Sequence, residues 1–176
     1  YERLSFDEFL FFQLPLALRK LKKNQEKGII HKVEEALAKD FISGLPFKLT
    51  KSQQEVLSEI KVDMSKTSIM QRLLQGDVGS GKTIVATIAG IFAIQGGYQA
   101  AFMAPTEILA KQHYEKIKSQ GKNIKVGLLA GSLERQEKDK IYKEIKSGRI
   151  DLVIGTHALL QEDVEFKNLG LVIIDE

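Results

Sequence analysis

The stretch Gly76-Asp77-Val78-Gly79-Ser80-Gly81-Lys82-Thr83 matches the pattern G-x-x-x-x-G-K-[ST] at every fixed position, and the rest of the chain is read outward from it. Its glycines let the backbone turn so that successive N–H groups line an anion cradle. Lys82 adds a point charge for the β- and γ-phosphates of a nucleoside triphosphate, and Thr83 offers a hydroxyl to Mg²⁺. A glycine-rich turn that binds nothing would share the pattern, so the flanks decide. Arg72-Leu73-Leu74-Gln75 reads as an apolar strand entering the loop, part of a strand expected over 70–75. Ile84-Val85-Ala86-Thr87-Ile88-Ala89-Gly90-Ile91-Phe92-Ala93 reads as a buried helix leaving it, with its N-terminus aimed at the phosphates.

Downstream, apolar strands alternate with amphipathic helices, which predicts an α/β domain with a mostly parallel sheet. Gly96-Gly97 ends the first helix, and strands are expected over 99–104, 125–130, 151–155 and 171–174. Pro105-Thr106 starts a helix whose apolar side includes Ile108, Leu109, Tyr114 and Ile117, and 134–146 reads as a charged surface helix. Upstream of the loop, Thr50 begins a helix to about residue 60 with Gln53 at the capping-box position, and 62–68 reads as a polar connection.

The last strand, Leu171-Val172-Ile173-Ile174, runs into Asp175-Glu176. An aliphatic run suits burial on both sheet faces, and the acidic pair then emerges at the carboxyl end of the strand, where open α/β sheets bind ligands. Asp175 is the candidate Mg²⁺ holder, partly through water, and Glu176 the candidate for orienting or deprotonating an attacking water. Together with Lys82 they would catalyse γ-phosphoryl transfer to water.

Composition bounds this reading. In 176 residues, 43% hydrophobic content is enough to bury a core, and a net charge of +3 permits a nucleic-acid partner without arguing for one. The absence of cysteine removes disulfides and thiolate metal sites and fits a reducing cytoplasm. No stretch is apolar and long enough for a membrane span, so no membrane partner is expected.

Residues 1–45 read as helical. Ser5 and Glu8 form a candidate capping box, and Leu10, Leu14, Ala17, Leu18 and Leu21 recur at helical spacing. Phe6, Phe9, Phe11 and Phe12 widen the apolar face beyond one groove, as suits a connector between domains. Arg19-Lys20-Leu21-Lys22-Lys23 reads as a solvated helix end. A second helix is expected over 32–41, and Gly44-Leu45-Pro46 then breaks the chain, which sets the expected boundary between a linker (1–45) and the main domain (46–176).

Four stretches in combination carry a family resemblance. They are the loop at 76–83, Ala104-Pro105-Thr106-Glu107-Ile108-Leu109-Ala110-Lys111-Gln112-His113, Gly155-Thr156-His157-Ala158-Leu159-Leu160-Gln161, and 171–176. They resemble the superfamily 2 helicases and, within them, the RecG family of bacterial branch-migration translocases. Leu4-Ser5-Phe6-Asp7-Glu8-Phe9-Leu10 with Gln13-Leu14 also resembles the segment joining the wedge domain of that family to its motor. The transcription-repair coupling translocases are the next most similar group, but they usually carry an aromatic where Ser80 stands.

The resemblance implies a RecA-like first motor lobe that binds ATP and Mg²⁺, in a bacterial cytoplasmic helicase remodelling forks and Holliday junctions during repair and recombination. It makes Gln53, in the stretch beginning at Phe47, the adenine-reading glutamine, although the capping role is equally open to it and the two are compatible. It makes Pro105, Thr106, Thr156 and His157 contacts to the DNA backbone, with Gly131 a weaker one. From the residues alone, Thr106 is a helix cap, and His31, His113 and His157 are satisfied structural histidines. The family places further motifs, an arginine finger and a second lobe after the acidic pair. With Tyr1 at the start and Glu176 ending a core strand, we expect a piece of a longer chain, weak in turnover alone. A phosphate-loop kinase or transport ATPase is the reading without nucleic acid, and no transport signature or Asn-Lys-x-Asp stretch supports it or a guanine switch.

Overall fold

Four short apolar runs build the sheet: β1 (Gln99–Met103), β2 (Val126–Leu129), β3 (Leu152–Gly155) and β4 (Leu169–Ile174). The computed structural model describes residues 2–25, 27–121 and 123–175, with side chains at all of these except 2–5, 16 and 19–25. Ser5 of the expected capping box and the basic cluster at 19–23 therefore fall outside the described side chains, and Glu176 falls outside the described residues altogether. The strands pair in the order β2-β3-β1-β4, and all three pairings are parallel. Parallel neighbours need crossover connections. Helix α5 (Glu107–Gln120) joins β1 to β2, α6 (Arg135–Ser147) joins β2 to β3, and a 3₁₀ turn (His157–Leu160) lies on the path from β3 to β4.

Register aligns the carboxyl ends of these strands. Met103 pairs with both Gly155 and Ile174, and Leu129 pairs with Gly155, so residues 104–106, 130–132, 155–157 and 175 all leave the sheet along one edge. Gly155 lies so close to Leu129 that an added Cβ would collide with the Leu129 carbonyl oxygen, which explains glycine at that strand end. At the opposite edge, buried Gln99 donates through Nε2 to the carbonyls of Ile145 (3.0 Å) and Ile150 (2.7 Å), and its Oε1 accepts from the Asn168 N–H (3.1 Å). A buried amide so satisfied pins three segments without a desolvation penalty.

Helix α4 (Lys82–Gln95) is apolar around most of its circumference, with Ile84, Val85, Ile88, Ala89, Ile91, Phe92 and Ala93 all buried. Such a helix needs cover on every side. It receives it from β1, β4, α2 (Ala36–Ser43) and α3 (Lys51–Met64). Strand residues Ala100, Phe102, Leu152 and Ile154 join this core, while Leu129 and Val153 join a smaller cluster with Ile145 and Ile150. Alternate residues thus feed alternate faces, as expected of a sheet covered on both sides.

Several expectations are corrected. Residues 70–75 form no strand. Among the described residues they join no ladder, and side chains hold the segment: Arg72 bonds Glu59 (2.6 Å) and Asp63 (2.5 Å) on α3. Leu74 packs against the main core while Leu73 is 86% exposed. A strand exists only with a hydrogen-bonded neighbour, which local apolarity cannot reveal. The polar connection expected from residue 62 is helix as far as Met64, and the second helix starts at Ala36 instead of 32. Ile108 lies 72% exposed, whereas Ile117 is buried.

The packing also runs upstream of residue 46. Ala38, Phe41 and Leu45 sit in the α4 core, and Gly28 and His31 donate backbone N–H groups to Thr67 (2.6 Å) and Met64 (2.9 Å). Before them, the 24-residue helix α1 (Glu2–Gln25) contains Pro15 and exposes Phe6, Phe9, Phe11 and Phe12.

His31 is buried against the edge of the Tyr98 ring (4.9 Å between centroids), and its Nδ1 has no partner among the described residues. Burial holds its imidazole below the usual value of 6.5, against a smaller opposing effect of a hydrogen bond with the Gly170 backbone. The unfolded chain therefore takes up a proton at His31 below about pH 6.5 that the folded chain resists. Stability is present above that pH and lost on acidification. The melting temperature of the full-length protein should fall between pH 7 and 5, and His31→Leu should flatten that slope; an unchanged slope would exclude His31 as its source.

Candidate functional site

The phosphate-loop pattern folds as a tight turn onto the N-terminus of α4. Gly79 (φ 80°) and Gly81 (φ 83°) occupy the left-handed region, where a side chain is strained. Ser80 N–H donates to the Asp77 carbonyl (3.1 Å), and the Gly81 carbonyl accepts from Ile84 (3.0 Å). Through Gly96-Gly97, α4 turns back into β1 and packs along it, so its N-terminus and the loop lie at the carboxyl edge of the sheet. The positive end of a 14-residue helix thus faces the loop. Lys82 hooks across the loop, donating through Nζ to the carbonyls of Gly76 (2.6 Å) and Asp77 (2.9 Å). An entering phosphate would replace these two acceptors.

Gln53 does more than cap. Its Oε1 accepts from Thr50 N–H (3.0 Å), its own N–H donates to Thr50 Oγ1 (3.2 Å), and its Nε2 donates to the Ser80 carbonyl (2.8 Å). The amide therefore ties the start of α3 to the loop, and an added Cβ at Gly81 would sit 2.5 Å from Nε2. To read adenine, the amide would have to exchange one of these partners. Phe47, Asp77, Val78 and Gly76 are exposed.

At the end of β4 the Asp175 N–H donates to the Met103 carbonyl (2.9 Å), which extends the β1–β4 ladder. One carboxylate oxygen, Oδ2, lies 2.9 Å from Nε2 of His113 on α5, so this histidine, read from the sequence as structural, meets the acidic strand end. A hydroxyl at Thr83 and a carboxylate at Asp175 are hard oxygen donors, the chemistry that suits Mg²⁺ shared with nucleotide phosphates.

The candidate DNA-backbone residues share the same edge. Thr106 caps α5, its Oγ1 accepting from Leu109 N–H (3.3 Å), and Pro105 beside it is exposed. Thr156 precedes the 3₁₀ turn and its carbonyl accepts from Leu159 (3.0 Å), while His157 is exposed. At Gly131 the carbonyl accepts from Lys138 Nζ (2.6 Å), and the next residue, Ser132, donates its N–H to Glu107 Oε1 (3.0 Å). The Ser132 side chain first, and the Ser132 and Gly131 backbone to a lesser degree, hold the Glu107 pKa below the usual carboxylate value against a smaller opposing effect of burial. Glu107 was not singled out in the sequence, although its place one residue after Thr106 at the same junction marks it.

A phosphate loop, an acidic strand end and three strand-to-helix junctions along one edge of a parallel sheet define a phosphate-loop nucleotide-binding α/β domain. The chain belongs to the DEAD/DEAH box helicase family, whose model matches residues 50–176. It is 54% identical to the ATP-dependent DNA helicase RecG of Thermotoga maritima over 99% of this chain and 23% of that protein, and 49% identical to RecG of Aquifex aeolicus over 100% and 22%. Among solved structures, RecG bound to a three-way DNA junction superposes with a TM-score of 0.92 at 50% identity, over 99% of this chain and 24% of that one. The UvsW helicase of bacteriophage T4 shares the fold, with a TM-score of 0.55 at 17% identity over 83% of this chain and 52% of that one. The likeness to RecG read from the sequence thus extends over nearly the whole chain, which spans under a quarter of the length of these RecG relatives.

Proposed function

We propose that this chain is the first motor lobe, with its preceding linker, of an ATP-driven DNA translocase that remodels branched DNA such as stalled forks and Holliday junctions. The supporting observation is the match over 99% of the chain, at a TM-score of 0.92, to a RecG bound to a three-way DNA junction. In this reading α1 connects to an upstream wedge domain, residues 46–176 form the lobe with 27–45 packed onto it, and a second lobe of the same polypeptide completes the site. The working place is the bacterial cytoplasm.

Residues 76–83 cradle the triphosphate, with Phe47 and Gln53 at the adenine. Lys82 neutralises charge that develops on the transferred phosphoryl group, and Glu176 orients and deprotonates the attacking water. Thr83 and Asp175 would hold Mg²⁺, which supplies further positive charge to the phosphates when bound. Pro105, Thr106, Gly131, Thr156 and His157 grip the DNA backbone by N–H groups and hydroxyls that read no sequence. For Gly131-Ser132 this requires Glu107 to yield the Ser132 N–H to a phosphate.

ATPase activity of the full-length protein, measured without DNA, with linear duplex and with a forked duplex, tests this. We expect stimulation by DNA that is greatest with the fork. Equal rates in all three would exclude a DNA motor, and equal stimulation by linear and forked duplex would exclude branched-DNA remodelling.

A further inference from the structure

Among the described residues, the contact between His113 and Asp175 joins positions 62 residues apart in sequence. A carboxylate oxygen accepts, so the tautomer with its proton on Nε2 is the one that donates to Oδ2. The imidazole is itself well held. It sits on α5, whose neighbouring Ala110 and Ile117 are buried, and its ring centroid lies 5.1 Å from that of Phe102, a fully buried residue of β1. The His113 side chain is 13% exposed and that of Asp175 28% exposed, so water competes only weakly for the bond. With Oδ2 occupied and the Asp175 backbone fixed by Met103, Oδ1 is the carboxylate oxygen with no partner among the described residues.

We propose that His113 is a positioning residue: it orients the Asp175 carboxylate so that Oδ1 is presented to the divalent cation of the nucleotide. This rests on the motor reading above, in which Asp175 holds Mg²⁺. Hydrogen bonds from outside the ligand set commonly orient metal-binding carboxylates. Without the bond, the carboxylate of a strand-end residue rotates about two side-chain torsions, and the cation loses a preset partner. A space-filling histidine beside Phe102 is the competing role, and shape separates the two. Phenylalanine keeps an aromatic ring in that place and removes the donor, whereas glutamine keeps an N–H donor near the Nε2 position and removes the ring.

The test uses the full-length protein as wild type, His113→Phe and His113→Gln. Mn²⁺ binding is followed by electron paramagnetic resonance in the presence of a non-hydrolysable ATP analogue, and the Mg²⁺ concentration for half-maximal ATPase is measured in parallel. We expect His113→Phe to weaken Mn²⁺ binding and raise the Mg²⁺ requirement roughly tenfold. His113→Gln should restore most of both, and analogue binding in EDTA should be equal in all three. Mn²⁺ binding by His113→Phe at the wild-type level overturns the proposal. So does a glutamine variant as weak as the phenylalanine one, since that outcome assigns His113 to packing. If His113→Phe does not fold, His113→Leu supplies the donor-free variant. Failure of the motor reading shows separately, as wild-type ATPase indifferent to DNA, while the Mn²⁺ titration still reports on His113.

Discussion

Lys82→Ala in the full-length protein is expected to lower DNA-stimulated ATP hydrolysis by roughly 10²–10³-fold, the cost of removing one preorganised charge-stabilising donor. The lysine is the cation of the loop, and it is tethered to the Gly76 and Asp77 carbonyls at the place where phosphates would enter. Those tethers are local, so the fold does not depend on them. The variant should melt with the wild type and show the same far-ultraviolet circular dichroism. Turnover close to wild type would show that the loop has been misassigned, and loss of the fold would show that Lys82 serves structure first.

The largest effect on stability is expected from Phe102→Ala. Phe102 is fully buried on β1, a strand flanked by β3 and β4, and its ring also backs His113. Removing a ring from such a place costs about 3–5 kcal/mol, because transfer free energy is lost and the surrounding sheet cannot collapse into the cavity. Hydrogen exchange suits a large protein, in which one global unfolding energy is poorly defined. Protection of β1 and β3 amides should fall by the equivalent of that energy. Leu73→Ala is the contrast: its side chain is 86% exposed, and its effect should stay within about 0.5 kcal/mol. A large loss at Leu73 would mean that residues 70–75 are buried in the working protein.

The two leucines in the loop approach illustrate where reading a sequence succeeds and where it stops. Leu73 and Leu74 look equally strand-like, yet Leu74 packs on the core and Leu73 does not. Arg72, the residue that anchors this segment, pairs with Glu59 and Asp63, and nothing in its local pattern announces carboxylates on another element. The capping box at Thr50 and Gln53 was legible because both partners lie within one turn. The third bond of Gln53, to Ser80, spans 27 residues and was not. Likewise, the α5 pattern offered Ile108 as apolar cover, but the rotation of the helix against β2 and β3 turns it outward and turns His113 toward Asp175.

By itself the sequence determined the alternation of strand and helix, the phosphate loop and the acidic strand end. Each of these depends on backbone preferences and side-chain periodicity within about a dozen residues. The tertiary structure decided which strand ends share an edge, that residues 70–75 form none of the four strands of the sheet, and that Gln53, Glu107 and His113 face the loop, the Gly131-Ser132 junction and Asp175. These are pairings between distant segments, set by sheet register and helix rotation, and a hydrogen bond of about 3 Å tolerates no error in either.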